Sequence, residues 1–180
     1  LQEIENARRR LAGSVYYSPL ARSEALSQRV GSPLYLKLEN LQMTGSFKER
    51  GALNRMLHLD EAEKARGVVA ASAGNHAQAV AYWAGRLGVK SCITMPKNAP
   101  LTKIENTRRH GAEVVLQGQT YAEAYEAAGT ICRQRGAVFV HAFDDPLVIA
   151  GQGTIGLELL EQQPELDAVV LPVGGGGLIA

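Results

Sequence analysis

The sequence predicts an α/β fold in which a parallel β-sheet lies between two layers of helices. Short apolar runs alternate with longer segments of helical periodicity from residue 68 to residue 173. Most of the apolar runs end at a turn-forming residue such as Ser72, Pro96 or Gly174. This alternation is typical of βαβ units, whose strands run parallel and whose helices cover both faces of the sheet.

The elements that precede this regular region are shorter. Glycines mark the ends of several helical patterns, because glycine readily adopts the left-handed conformation that closes a helix. A strand is expected where apolar and polar residues alternate at 34–39, and a helix where apolar residues recur at helical spacing from Ala52 to Leu59. In order, we predict a helix at 3–12, a helix at 22–30, a strand at 34–39, a helix at 48–59 and a helical turn at 60–66.

The regular region itself supplies the predicted sheet. Its apolar runs have the length of strands, and the segments between them have the length and period of helices. The predicted strands are 68–71, 91–95, 113–116, 137–140 and 168–173, and the predicted helices are 77–87, 101–110, 121–135 and 153–162.

Composition narrows the classes of function. The chain has 46% hydrophobic residues, 21% charged residues and a net charge of +1, which is typical of a globular protein and argues against a nucleic-acid partner. No apolar run has membrane-spanning length and no signal peptide is recognisable, so we expect a cytoplasmic protein without a membrane partner. Cys92 and Cys132 lack metal-ligand spacing and are expected to be reduced; no metal site is predicted.

The first candidate site is the segment Thr44–Ala52, between a predicted strand and a predicted helix. Thr44, Gly45 and Ser46 offer turn and N-cap chemistry, which places Lys48 in the first helical turn. The positive end of the helix dipole should ease deprotonation of its amine, and a neutral amine is what Schiff-base chemistry with an aldehyde requires. On its own, Lys48 would be an ordinary solvated lysine.

Two loops at the carboxyl ends of predicted strands are further candidates, because parallel sheets bind ligands there. The loop Ser72-Ala73-Gly74-Asn75-His76 has small residues that let backbone N–H groups approach an anion, and Asn75 adds a neutral amide. A plain capped helix start, with Ser72 or Asn75 as N-cap, explains the same residues equally well. His76 alone is more typical of a hydrogen-bonded loop histidine than of a catalytic base.

The second loop consists of four consecutive glycines, Gly174 to Gly177, directly after an apolar strand. Such a loop can present successive N–H groups to a phosphate. It is neither a Walker loop, since no Gly-Lys-Ser/Thr follows, nor a dinucleotide fingerprint, since Ile179 stands where the last glycine would be. A simple turn is the alternative. Asp144 and Asp145 are interpreted as turn and cap residues before Pro146, and Gln152 as a polar lining residue or a cap.

A lysine at a helix start, an asparagine loop and a glycine loop have one joint explanation, which is pyridoxal phosphate. The chain resembles the threonine/serine dehydratase branch of the fold-type II pyridoxal-phosphate enzymes, and most of all the catabolic threonine dehydratases. The resemblance runs through nearly the whole chain. The segments that carry it are Ser46–Ala52, Ala71–Gln78, Gly151–Thr154 and Gly174–Leu178.

The resemblance implies a role for each motif. Lys48 would carry the cofactor as a Schiff base and move the Cα proton, Phe47 would contact the cofactor ring, and Asn75 would hydrogen-bond the ring oxygen. The phosphate would be held by the N–H groups of Gly174, Gly175, Gly176, Gly177 and Leu178. The substrate carboxylate would be received by Ser72, Ala73, Gly74, Asn75 and His76. The implied reaction converts L-threonine or L-serine into ammonia and 2-oxobutanoate or pyruvate.

Related activities of the same fold are partly distinguishable. Serine racemases carry a serine before the loop glycine, where it protonates the opposite face of Cα, whereas this chain has Ala73. A methyl group cannot donate a proton, so elimination is favoured over racemisation. A serine racemase-type enzyme, an inactive ligand-binding fragment of this fold and a nucleotide-binding α/β protein remain alternatives.

The resemblance also implies a domain organisation. In the family the larger domain continues past the glycine loop, so we expect this chain to be a fragment. A smaller α/β domain is expected at 50–150, and an incomplete larger cofactor-binding domain at 1–49 and 151–180. The family further suggests a homodimer or homotetramer that acts on a small amino acid.

Overall fold

The computed structural model describes all 180 residues and has the predicted α/β architecture. The helices are α1 Gln2–Leu11, α2 Glu24–Val30, α3 Lys48–Met56, α4 Glu61–Arg66, α5 Asn75–Arg86, α6 Leu101–Arg109, α7 Tyr121–Arg135 and α8 Pro146–Gln162. The strands are β1 Leu20–Arg22, β2 Tyr35–Lys37, β3 Val68–Ala71, β4 Ser91–Met95, β5 Glu113–Leu116 and β6 Val138–Phe139, with a short 3-10 helix at Glu39–Leu41.

The main sheet has four parallel strands in the order β5-β4-β3-β6. Alternate residues of the two central strands face opposite layers, because successive strand side chains point to opposite faces. Val68, Ala70 and Ile93 join the main core with helices α3 and α5, whereas Val69 and Cys92 pack with α7 on the other face. The predicted three-layer arrangement is therefore confirmed.

The N-terminal part of the chain forms a separate antiparallel pair, β1 with β2. Only β2 is predicted, because it lies within the alternating run at 34–39. β1 shows no such alternation, and its last residue, Arg22, falls in the predicted helix at 22–30. Helix α2 between them begins with Ser23 as its N-cap and ends at Gly31 in the left-handed conformation, φ +73°. Both ends follow ordinary capping chemistry.

Two predicted elements differ from the observed ones. Helix α8 begins at Pro146 instead of residue 153, because the Asp145 side chain accepts hydrogen bonds from the N–H groups of Leu147 and Val148 and Pro146 occupies the first helical position. The predicted strand at 168–173 is not formed. No neighbouring strand pairs with it, and Val170 is 98% exposed. A strand exists by pairing, so an apolar run alone does not suffice.

Helices α3 and α5 are central to the core, and α8 packs closely on α3. Trp83 of α5 is buried and meets Tyr82 edge to face, with 5.0 Å between ring centroids. Where α3 crosses α8, a Cβ placed on Gly151 would lie 2.6 Å from the Cα of Gly51. The two helix backbones therefore touch. None of the helices combines the length and apolar character that crossing a membrane requires.

Candidate active site

Lys48 is the first residue of α3, as predicted, and its side chain is half-buried. The amine Nζ donates a hydrogen bond to the carbonyl oxygen of Ala142 at 2.6 Å and lies 5.2 Å from the centre of the Phe47 ring. Burial lowers the pKa of Lys48 below its ordinary value, since the charged form loses hydration. The expected direction of the pKa shift therefore agrees with the structure, although desolvation causes it.

The start of α3 differs in one respect from the prediction. Its N-cap residue is Phe47 and no side chain caps the helix, so Thr44 and Ser46 do not play the expected capping role. The hydroxyl oxygens of both residues are buried without a hydrogen-bond partner. Gly45 forms the turn before α3 and has φ +76°, a left-handed conformation that favours glycine.

Arg50 anchors α3 on the side of the helix away from Lys48. The two residues are two positions apart, which places them roughly 200° apart around the helix. The fully buried guanidinium donates to both carboxylate oxygens of Glu39, at 2.9 and 2.7 Å, and to both oxygens of Glu158 on α8, at 2.5 and 2.9 Å. Burial opposes the charge of Arg50, but the two carboxylates outweigh it and raise the pKa.

The loop from Ser72 to His76 joins β3 to α5, at the carboxyl end of the sheet. Its N-cap residue is Gly74, and the Ser72 hydroxyl accepts a hydrogen bond from the Gly74 N–H at 3.1 Å. The N–H groups of Asn75 and His76 have no acceptor in the protein, as expected in the first turn of a helix. Asn75 is exposed and Ala73 is half-buried against the core, so the loop presents free donors to a ligand.

His76 is the buried member of this loop, with 2% of its surface exposed. Its Nε2 lies 2.9 Å from the carbonyl oxygen of Val140, so Nε2 carries the proton and Nδ1 is a lone-pair acceptor. Nδ1 is buried without a partner. Burial lowers the pKa of His76 to about 4, and the nearby charges of Lys48 and His141 act in the same direction. The imidazole is therefore neutral at neutral pH.

The glycine loop presents five consecutive backbone donors. The N–H groups from Gly174 to Leu178 donate to no acceptor in the protein. Gly176 has φ +92°, a left-handed conformation that strongly favours glycine. A loop with this many free N–H groups fits an anion such as a phosphate, which would satisfy several of them at once.

The segment from Val140 to Asp145, between β6 and α8, connects these groups, and the sequence analysis does not assign it to the site. The Val140 carbonyl accepts from His76, the Ala142 carbonyl accepts from Lys48, and Phe143 packs against Gly175 and Gly177. The segment leaves the carboxyl end of a parallel strand, which is the signal that could have identified it.

Asp145 and Gln152, the other polar candidates from the sequence, belong to α8 and its N-cap. Asp145 is the N-cap of α8, as interpreted from the sequence, and pairs with Arg55 at 3.1 Å. Gln152 lies within α8, instead of near its start, and its Oε1 accepts from the Gly51 N–H at 3.0 Å. Both residues fix the packing of α8 on α3.

The residues fit a phosphorylated aldehyde cofactor. A half-buried amine with a lowered pKa can form a Schiff base, and the free donors of the glycine loop can bind a phosphate. Lys48 contacts Ala142, and the glycine loop contacts Phe143. The amine and the proposed phosphate-binding loop therefore meet adjacent residues of one segment.

Comparison with known proteins agrees with this chemistry. A family model described as pyridoxal-phosphate dependent enzyme matches residues 11–180. The L-threonine ammonia-lyase of Thermotoga maritima is 57% identical over 180 residues, which are 100% of this chain and 45% of that protein. The chain spans about half the length of the curated relatives it matches.

Two solved structures share the fold. The processed form of threonine deaminase isoform 2 from Solanum lycopersicum has a TM-score of 0.94 and 44% identity, over 99% of this chain and 49% of that one. Maize serine racemase has a TM-score of 0.95 and 38% identity, over 99% and 54%. With the family model covering nearly all of the sequence, the chain belongs to the pyridoxal-phosphate dependent enzymes.

Proposed function

We propose that this protein deaminates L-threonine, and L-serine, to ammonia and 2-oxobutanoate or pyruvate. The proposal rests on the half-buried Lys48 amine, which donates to the Ala142 carbonyl. The next residue, Phe143, contacts the glycine loop. The identity of 57% to an L-threonine ammonia-lyase supports the same reaction.

We propose that Lys48 binds the cofactor aldehyde and moves the substrate Cα proton. Burial lowers the pKa of its amine, so a larger fraction is neutral and able to attack a carbonyl or accept a proton. When bound, pyridoxal phosphate supplies an electron sink for the carbanion at Cα. The other cofactor contacts are assigned to Phe47, Asn75, Gly174, Gly175, Gly176, Gly177 and Leu178.

The substrate carboxylate is assigned to the loop of Ser72, Ala73, Gly74, Asn75 and His76. The unpaired N–H groups of Asn75 and His76 at the start of α5 favour an anion. A neutral His76 adds no charge to this loop, so the backbone donors and the helix dipole would do the binding.

Racemisation of serine is the second candidate, because maize serine racemase shares the fold at 38% identity. A racemase needs a proton donor on the face of Cα opposite the lysine. Ala73 offers only a methyl group at the corresponding loop position, which favours elimination.

The test is the visible absorbance of the full-length protein with added pyridoxal phosphate. Wild type and Lys48→Ala are compared, with the exposed Lys90→Ala as control. We expect the absorbance band of a lysine Schiff base in wild type and in Lys90→Ala, and none in Lys48→Ala. A band that survives in Lys48→Ala would overturn the assignment of the lysine.

Substrate assays then separate the candidate functions. Formation of a 2-oxo acid and ammonia from threonine or serine supports the lyase, and D-serine formed from L-serine supports a racemase. A Schiff base without either product supports a ligand-binding protein of this fold.

We also propose the organisation implied by the family resemblance. A smaller domain would comprise residues 50–150, and residues 1–49 and 151–180 would contribute to a larger one. Assembly as a homodimer or homotetramer in the cytoplasm is part of this proposal, and sedimentation of the purified protein tests the assembly.

A further inference from the structure

The glycine loop contains two kinds of glycine, which differ in what surrounds them. A Cβ placed on Gly174 or on Gly176 would meet nothing within 4 Å. A Cβ on Gly175 would lie 2.3 Å from Cδ1 of the Phe143 ring, and a Cβ on Gly177 would lie 2.7 Å from the Phe143 carbonyl oxygen. Phosphate binding alone does not explain why Gly175 and Gly177 lack side chains; contact with Phe143 does.

Phe143 is itself held in place by its neighbours. Its N–H donates to Nδ1 of His141 at 3.2 Å, and its ring meets the His141 ring edge to face at 4.6 Å between centroids. The adjacent Ala142 carbonyl accepts from Lys48. The residues from His141 to Phe143 therefore form one fixed piece, and this piece contacts both the lysine and the glycine loop.

We propose that Phe143 is a positioning residue of the phosphate site. By packing against Gly175 and Gly177 it fixes the loop conformation in which the N–H groups from Gly174 to Leu178 face an anion together. The inference deepens the proposed function, because it rests on the glycine loop as the phosphate site. It makes Phe143 act through the loop, without a part in the chemistry at Lys48.

The experiment measures the affinity of the full-length protein for pyridoxal phosphate and for pyridoxal, which lacks the phosphate, by absorbance titration. A charge-assisted hydrogen bond contributes about tenfold or more in affinity. We therefore expect Phe143→Ala to weaken pyridoxal phosphate by about tenfold and pyridoxal by much less. Tyr121→Leu, which alters an exposed aromatic side chain that stacks on Tyr125 and on neither His141 nor Phe143, should leave both affinities unchanged. Equal loss of both ligands in Phe143→Ala, or no loss, would overturn the proposal.

Two double variants test the packing itself. The Gly175 contact involves the Phe143 ring, whereas the Gly177 contacts involve the Phe143 backbone oxygen and Cα, with Cβ at 2.8 Å. Phe143→Ala should therefore abolish the additional effect of Gly175→Ala and leave that of Gly177→Ala in place. If Gly175→Ala has the same effect in both backgrounds, the two residues are independent and the inference is wrong.

Binding of inorganic phosphate separates this inference from the proposed function. We expect wild type to bind phosphate and Phe143→Ala to bind it about tenfold more weakly. Wild type that binds phosphate but forms no Schiff base would overturn the proposed function and leave the role of Phe143 standing. Wild type that binds no phosphate, or binds it no better than Phe143→Ala, would overturn the role of Phe143.

Discussion

At the scale of single residues, burial changes the protonation of the groups that face one another around the site. His76 is buried and Lys48 is half-buried, and burial lowers the pKa of each. The positive charge of Lys48 adds to the lowering of the His76 pKa, whereas burial alone lowers the pKa of Lys48. The site therefore favours a neutral imidazole beside an amine that gives up its proton readily.

The pKa of His76 predicts a dependence of stability on pH. The folded value of about 4 lies below the ordinary value of 6.5, so the unfolded chain binds the proton more tightly. The free energy of unfolding should therefore be highest above pH 6.5 and fall between pH 6.5 and 4, by on the order of 3 kcal/mol. Urea unfolding of wild type and His76→Gln as a function of pH measures this difference.

The exposed His58→Gln is the control for this measurement. It shows whether the loss of an exposed imidazole is enough to change the pH dependence. A His76→Gln variant with the same pH dependence as wild type would contradict the prediction.

The lowered pKa of Lys48 predicts selective labelling. At neutral pH a larger fraction of its amine is neutral than at the ordinary pKa of a lysine, so it should react readily with pyridoxal. Reduction of the imine with borohydride, followed by peptide mass mapping, identifies the modified lysines as the pH is raised. The exposed Lys90 is the reference site for comparison. Equal labelling of both at neutral pH would contradict the prediction.

At the scale of elements, the crossing of α3 and α8 fixes the position of α3, whose first residue is Lys48. A Cβ on Gly51 would lie 2.7 Å from the Val148 carbonyl oxygen, and a Cβ on Gly151 would lie 2.6 Å from the Arg50 carbonyl oxygen. The helices approach so closely because neither residue has a side chain at the crossing. Lys48 therefore depends on two glycines that lie outside the proposed cofactor and substrate contacts.

Substitution at this crossing should separate the helices. Gly51→Ala or Gly151→Ala should lower the free energy of unfolding by about 1–3 kcal/mol, because backbone atoms must move to admit the methyl group. Gly156→Ala is the matched control on α8, since a Cβ there meets nothing within 4 Å. It should be neutral or stabilise by up to about 1 kcal/mol, from helix propensity. Urea denaturation of the three variants checks the order, and a crossing variant as stable as Gly156→Ala would contradict it.

At the scale of the whole molecule, buried charges join the antiparallel pair of β1 and β2 to the helices of the core. Glu158 accepts from Arg50 and also from Lys37 of β2, at 2.6 Å. Glu39, which follows β2, completes the network. Burial would raise the pKa of Glu39, but the hydrogen bonds and charge of Arg50 outweigh this and hold it below its usual range. The network therefore joins two basic side chains, Arg50 and Lys37, to two acidic ones, Glu39 and Glu158.

Removing one charge from this buried network should lower the free energy of unfolding far more than removing an exposed charge. Glu158→Gln leaves Arg50 and Lys37 short of a buried partner and should lower the free energy of unfolding by about 3–5 kcal/mol. Glu161→Gln, on the same helix, breaks the exposed pair with Arg8 and should cost about 0–1 kcal/mol. Parallel urea titrations measure both variants. Similar losses would show that the buried network contributes no more than a surface pair.

The sequence predicts most of the sheet because β3 and β4 are buried on both faces. β3 appears as an uninterrupted apolar run, and β4 as an apolar run that includes only the small polar residues Ser91 and Thr94. The same rule fails at 168–173, where the run is present but no strand pairs with it. The start of α8 is missed because Asp145 and Pro146 suit a turn and a helix start equally well. Phe143 is missed because its importance lies in a contact with glycines far along the chain, which leaves no local pattern.

The buried Trp83 gives the molecule a built-in optical reporter. It is the single tryptophan of the chain and lies on α5, the helix that begins at the proposed substrate loop. Its fluorescence therefore comes from one known position in the core. A bound chromophore whose absorption overlaps the tryptophan emission would quench this fluorescence by energy transfer. Cofactor capture could thus be followed in real time without substrate, label or added tag.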